Sequence, residues 1–74
     1  MAVDLRLDRG SMTGLELVLL HGHHVLARHR IARLTWRKRR FVLRVDKRHL
    51  ARGTYTVAVR RGHDTLASRV VHVR

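Results

Sequence analysis

The chain has no cysteine and no proline, a single Trp, a single Tyr and a single Phe, and only five acidic residues in 74. Without cysteine there is neither a disulfide staple nor a thiolate nucleophile, so a short chain has to hold one core by packing alone. The absence of cysteine leaves the redox compartment open. With no proline, no low-complexity tract and no internal repeat of useful length, there is no linker at which to divide the chain, and residues 1–74 read as one domain. Long apolar runs are missing as well. The longest is Leu17 to Leu20, against the roughly 20 residues a membrane-spanning helix needs. The start, Met1-Ala-Val-Asp4, lacks the basic and apolar regions of a signal peptide.

Catalytic inventory is equally thin. Serine occurs only at positions 11 and 68, with no Gly-x-Ser-x-Gly elbow around either. The carboxylates Asp4, Asp8, Glu16, Asp46 and Asp64 are scattered, and no spacing brings two of them across a cleft. Gly10 and Gly14 do not lead into a helical pattern, which excludes a phosphate-binding loop. His63 and Asp64 are adjacent, so on a strand their side chains diverge. The expectation is a protein that is not an enzyme and carries no cofactor.

Positive charge is what the chain does have: 17 Lys and Arg give a formal net charge of +12. Eleven of these cations fall between Arg28 and Arg52, where Asp46 is the only acid. Such a field draws polyanions, whether nucleic acid, anionic headgroups or acidic cell-wall polymers. The competing explanation is compositional, with Arg simply filling solvated strand faces. Within the segment, Arg37, Lys38, Arg39 and Arg40, flanked by Trp36 and Phe41, form the best binding candidate, because cations grip phosphates while exposed rings stack on bases. Arg28, Arg30, Arg33 and Arg44 would extend that surface. Seven His invite a metal reading, and His21 and His23 are its weak candidates, since on a strand they share a side; His49, His63 or His72 would have to complete the site. Two imidazoles fall short of a closed site, so no metal is expected.

Hydrophobic period is close to two along most of the chain, which points to strands. Val3, Leu5 and Leu7 form a first strand, and residues 9–14 a turn-rich loop. Leu15, Leu17 and Leu19 share a face of the second strand. His21-Gly22 marks a hairpin, with Val25, Ala27, His29 and Ile31 returning. Residues 31–39 read as a bend or short strand. From Arg39 to Val45, the residues Phe41, Leu43 and Val45 point inward. After a connection over residues 46–53 come a strand through Tyr55, Val57 and Val59, a turn at Arg61-Gly-His-Asp64, and a last strand whose Ala67, Val71 and Val73 face in. Arg69 breaks the last alternation, which implies a bulge or an edge position. Leu17, Phe41, Leu43, Tyr55 and Val57 are the expected centre of the core.

The stretch Leu50-Ala-Arg-Gly-Thr-Tyr-Thr-Val-Ala-Val59 carries the most information. Leu50 anchors a corner, Gly53 supplies a backbone angle closed to other residues, and Tyr55 opens a strand. A buried Tyr hydroxyl needs a partner, and the backbone a few residues upstream supplies one at a tyrosine corner. Together with the hairpin at His21-Gly22, the strand Phe41-Val-Leu-Arg-Val45 and the return through Val71-x-Val73, this order resembles the bacterial immunoglobulin-like and fibronectin-type-III-like modules of exported and cell-wall proteins. The resemblance implies an all-β antiparallel immunoglobulin-like sandwich of six or seven strands. It also implies a non-catalytic spacer or adhesion platform in a larger bacterial surface or exported protein, with neighbouring domains as partners. It departs from the antibody pattern: no cysteine pair is present, and Val57 stands where the second Cys would be. A small basic nucleic-acid-binding β protein is the alternative, and it would be cytoplasmic if the chain is a complete gene product.

Overall fold

A computed structural model describes residues 1–45 and 50–74. The residues 46–49, which include His49 and Asp46 and most of the connection expected before Gly53, lie outside the described residues. Among the described residues there are six strands and every pairing is antiparallel: β1 (Ala2–Leu5), β2 (Ser11–His21), β3 (His24–Thr35), β4 (Arg39–Val42), β5 (Gly53–Arg61) and β6 (Asp64–Val73). They form two sheets, a four-stranded one in the order β3-β2-β5-β6 and a two-stranded one of β1 and β4. No helix among the described residues is long and apolar enough to cross a membrane.

The core lies between the sheets. Leu15, Leu17 and Leu19 of β2, Ile31 and Leu34 of β3, Phe41 of β4, Leu43 just beyond it, and Tyr55, Val57 and Val59 of β5 form one buried cluster. Period two explains it, since alternate residues of a strand share a face and all of these belong to the inward set. Leu17 and Leu43 are 0% exposed. Met1 and, from β1, Val3 and Leu5 pack against the cluster as half-buried side chains. The terminal ammonium of Met1 donates to Leu43 O at 3.0 Å, and Leu43 N donates to Met1 O at 2.7 Å, which ties the first residue into the small sheet.

Three features differ from the alternation read in the sequence. Residues 11–14 are not a loop, because Ser11, Met12 and Thr13 pair with Thr35, Leu34 and Arg33 at the far end of β3. A polar, glycine-bearing stretch looks like a turn until a long partner strand satisfies its backbone groups. Residues 31–35 accordingly finish β3 instead of making a separate short strand; there the inward set slips by one residue on both strands, from Leu15 to Met12 and from Ile31 to Leu34. β4 ends at Val42, so Val45 lies beyond the strand, half-buried. As for the break at Arg69, β6 is an edge strand, while its bulge sits at Leu66, where Val59 pairs with Ala67 and Arg60 with Thr65.

The chain does carry an internal repeat, visible once the pairing is known. The hairpins β2-β3 and β5-β6 match at a spacing of forty residues, shown by their turn glycines 22 and 62. In both, a two-residue Gly-His turn carries φ near +60° at the glycine, +63° at Gly22 and +61° at Gly62, the sign the first position of a tight II′ hairpin turn requires. Both carry a bulge at the same place in the returning strand, Leu26 in one and Leu66 in the other. Burial also runs in parallel over Leu15–Leu20 and Tyr55–Arg60. The central strands β2 and β5 pair so that the equivalent residues Val18 and Ala58 face each other, which gives the large sheet an approximate twofold axis at that point. In the turns the repeat is also one of residue type, Gly22-His-x-x-Leu-Ala27 against Gly62-His-x-x-Leu-Ala67, whereas the central strands keep only the pattern: Leu17-Val-Leu-Leu20 matches Val57-Ala-Val-Arg60.

Candidate functional site

The basic run lies at the passage between the sheets. Arg37 and Lys38 occupy the connection from β3 to β4, and Arg39 and Arg40 begin β4; all four are exposed. Alternation then sends Arg39 and Arg40 to opposite faces. Arg39 lies over the ring of Phe41, 5.5 Å from its centroid, at the rim of the core. Arg40 points outward, where its Nε donates to Asp4 Oδ1 at 3.1 Å across the β1-β4 pair. Arg37 N donates to Thr35 Oγ1 at 3.2 Å, and its guanidinium stands 5.2 Å from the centroid of the Trp36 ring. Trp36 is 58% exposed. Arg39 and Arg40 therefore do not share a face.

A second group does converge. Arg28 and Arg30 on β3 and Arg44 just beyond β4 line one shallow depression of about 450 Å³ with His29 and Val42, and no carboxylate lines it. These residues come from the open edges of both sheets, brought to one flank because β4 lies over β3; the rings of His29 and Phe41 are 5.8 Å apart across that gap. The sequence named Arg28, Arg30 and Arg44 only as an extension of the run at 37–40. Their proximity depends on the crossing of two sheets, which no spacing along the chain encodes. Arg33 stands farther along β3, opposite Thr13.

The histidine candidates separate. His21 closes β2 and its ring stacks against Tyr55 with centroids 4.8 Å apart, whereas His23 occupies the turn itself. Among the described residues no three of His, Cys, Asp and Glu come together as a metal would require. His72 Nδ1 lies 3.3 Å from Thr54 Oγ1 on the exposed side of the β5-β6 pair.

At the corner, Leu50 is half-buried against the core, Gly53 has φ +151°, and Tyr55 is buried with its Oη donating to Ala51 O at 2.7 Å. This group holds the start of β5 in place and offers nothing reactive to solvent.

A last feature had no signal in the sequence. A groove of about 470 Å³ runs between β1 and β6, floored by Val57, Val59, Ala67, Arg69 and Val71 and walled by β1. Ala67 points toward the core side, as its alternation implies, yet it is exposed, because the two-stranded sheet does not extend over β6. No family model, no curated protein and no solved structure matches the chain.

Proposed function

We propose that the chain is a non-catalytic immunoglobulin-like module of a larger bacterial surface or exported protein, serving as a spacer and adhesion platform, and that its adhesive face is the arginine flank. The observation that carries the reading is the convergence of Arg28 and Arg30 from β3 and Arg44 from the segment after β4 on a depression whose lining holds no carboxylate. Guanidinium groups held on strand edges present planar, multidentate donors to carboxylates and phosphates. Acidic polymers with repeated anionic groups are the chemistry that fits. The Tyr55-to-Ala51 bond and the two-sheet arrangement support the immunoglobulin-like part of the reading, as both recur in such sandwiches.

A second reading, nucleic-acid binding, draws on Trp36, an exposed ring beside Arg37 on which a base could stack. A salt titration separates the two. Adhesion by the flank alone predicts that DNA, RNA and polyglutamate bind at low salt and detach together, losing about 20- to 40-fold in affinity between 50 and 200 mM salt if each of the three arginines neutralises one anionic group. Arg28→Glu with Arg44→Glu should weaken all three polymers alike, while Trp36→Ala should change none. Submicromolar binding of one nucleic-acid form that survives physiological salt and is lost in Trp36→Ala would replace the first reading with the second.

A further inference from the structure

The approximate twofold axis of the large sheet makes the β1/β6 groove interpretable. Its inward positions correspond pairwise across the axis, Ala27 to Ala67, His29 to Arg69 and Ile31 to Val71, set opposite Leu19, Leu17 and Leu15 on one side and Val59, Val57 and Tyr55 on the other. Over β3 those positions are covered by a strand: β4 places Phe41 against His29, and Ile31 is buried. Over β6 no strand among the described residues covers the same positions, and Ala67 and Arg69 are exposed while Val71 is half-buried. The element that fills this place at the other end of the sheet is an extended strand.

The backbone of β1 offers the matching edge. Met1 exchanges hydrogen bonds with Leu43, so in the antiparallel register Val3 and Leu5 also face β4, and the N–H and C=O groups of Ala2 and Asp4 point to the opposite side, along the groove. Among the described residues β1 pairs with β4 alone. The two flanks of the molecule also differ in how they treat an edge. Arg28, Arg30 and Arg33 stand on the free edge strand β3 and repel an incoming chain, whereas the groove flank presents Ala2, Ala67 and Ser68 with Arg69 as the one cationic side chain of its lining; Asp4 lines it as well, but its carboxylate is held by Arg40 across the β1-β4 pair.

We infer that this groove receives an extended peptide segment of a partner protein as a third strand beside β1, a segment in which apolar side chains alternate inward with an acidic one. Main-chain bonds to Ala2 and Asp4 supply the alignment, Val57, Val59, Ala67 and Val71 take the apolar side chains, and Arg69 takes the carboxylate. The acidic residue is required because Arg69 sits in the floor between apolar neighbours, where it has to meet an opposite charge once water is displaced. A second copy of the chain fits poorly, since each copy carries +12 and would bring a like charge to the groove. The assignment goes beyond the adhesive reading and stands whether or not the arginine flank grips polymers.

The test uses the full chain, isotopically labelled, at 150 mM salt, with the capped peptide Ser-Val-Thr-Glu-Thr-Val-Ser as probe. Saturable shifts are expected at the backbone amides of Ala2, Asp4, Ala67 and Arg69, with none from a scrambled peptide of equal composition. Arg69→Glu should weaken binding about tenfold or more, and replacing the peptide's Glu with Lys should restore it in that variant. Ala2→Pro removes a donor on the free edge without touching the β4 ladder and should abolish binding at an unchanged circular dichroism spectrum. Equal binding of the scrambled peptide, shifts confined to the arginine flank, or no saturable shift would overturn the proposal. So would concentration-dependent protection of the Ala2 and Asp4 amides without peptide, which assigns the edge to a second copy.

Discussion

Tyr55 shows how far a single residue can be read. Its strand face follows from alternation with Val57 and Val59, and its acceptor, Ala51 O, lies only four residues upstream, so both relations are local in the chain. Tyr55→Phe should cost about 1 to 3 kcal/mol by leaving that corner bond unmade, read as a lower urea midpoint at unchanged slope. A midpoint equal to that of the parent would mean that water replaces the hydroxyl without loss. Leu17→Ala, at a 0% exposed position, should cost about 2 to 5 kcal/mol. Val42→Ala, on the outer face of β4, should stay within about 0.5 kcal/mol. Arg69 marks the limit of reading at this scale. Its break in the alternation signalled an edge, but whether an inward charge at an edge is buried, paired or open depends on the sheet above it.

At the scale of elements, the two hairpins make equal demands of their turns. Gly22→Ala and Gly62→Ala should each destabilise by about 1 to 3 kcal/mol, because alanine has to adopt a positive φ. Their similarity would support the equivalence of the hairpins, and a large difference would count against it. The returning strands, by contrast, should behave differently despite their equivalence. β3 buries Ile31 and Leu34 beneath the small sheet, while every residue of β6 is exposed or half-buried. Native-state hydrogen exchange should therefore show β6 amides bonded to β5 opening more readily than β3 amides bonded to β2. Equal protection would mean that the ladder, and not the covering layer, sets local stability. The hairpins were legible because turn glycines and alternation lie within a dozen residues of one another. The extension of β2 back to Ser11 was not, since its polar residues become strand only when β3 pairs with them.

For the whole molecule, charge and edges decide behaviour together. A net charge of +12 on 74 residues opposes compaction through self-repulsion, and added salt screens it. The thermal midpoint should rise as sodium chloride goes from about 20 to 300 mM, where the Debye length falls from about 20 Å to 6 Å. A flat or falling midpoint would indicate that the arginines are locally compensated. The same cations guard one strand edge of the molecule and leave the other open, so strand-to-strand pairing is expected at β1 beside β6, while the arginines of β3 draw acidic polymers instead of an added strand.

By itself the sequence determined the all-β class, the inward set around Leu17, Phe41, Leu43, Tyr55 and Val57, the turns at Gly22 and Gly62, and the excess of cations. These follow from residue type and from spacings of two to four positions, the range over which a strand or a turn is built. Only the tertiary structure decided that Arg28, Arg30 and Arg44 share a depression, that two hairpins are related across Val18 and Ala58, and that β6 lies uncovered beside the free edge of β1. Each of these depends on how two sheets of unequal width are stacked. Period two sets which face a side chain takes, and it carries no information about what lies over that face.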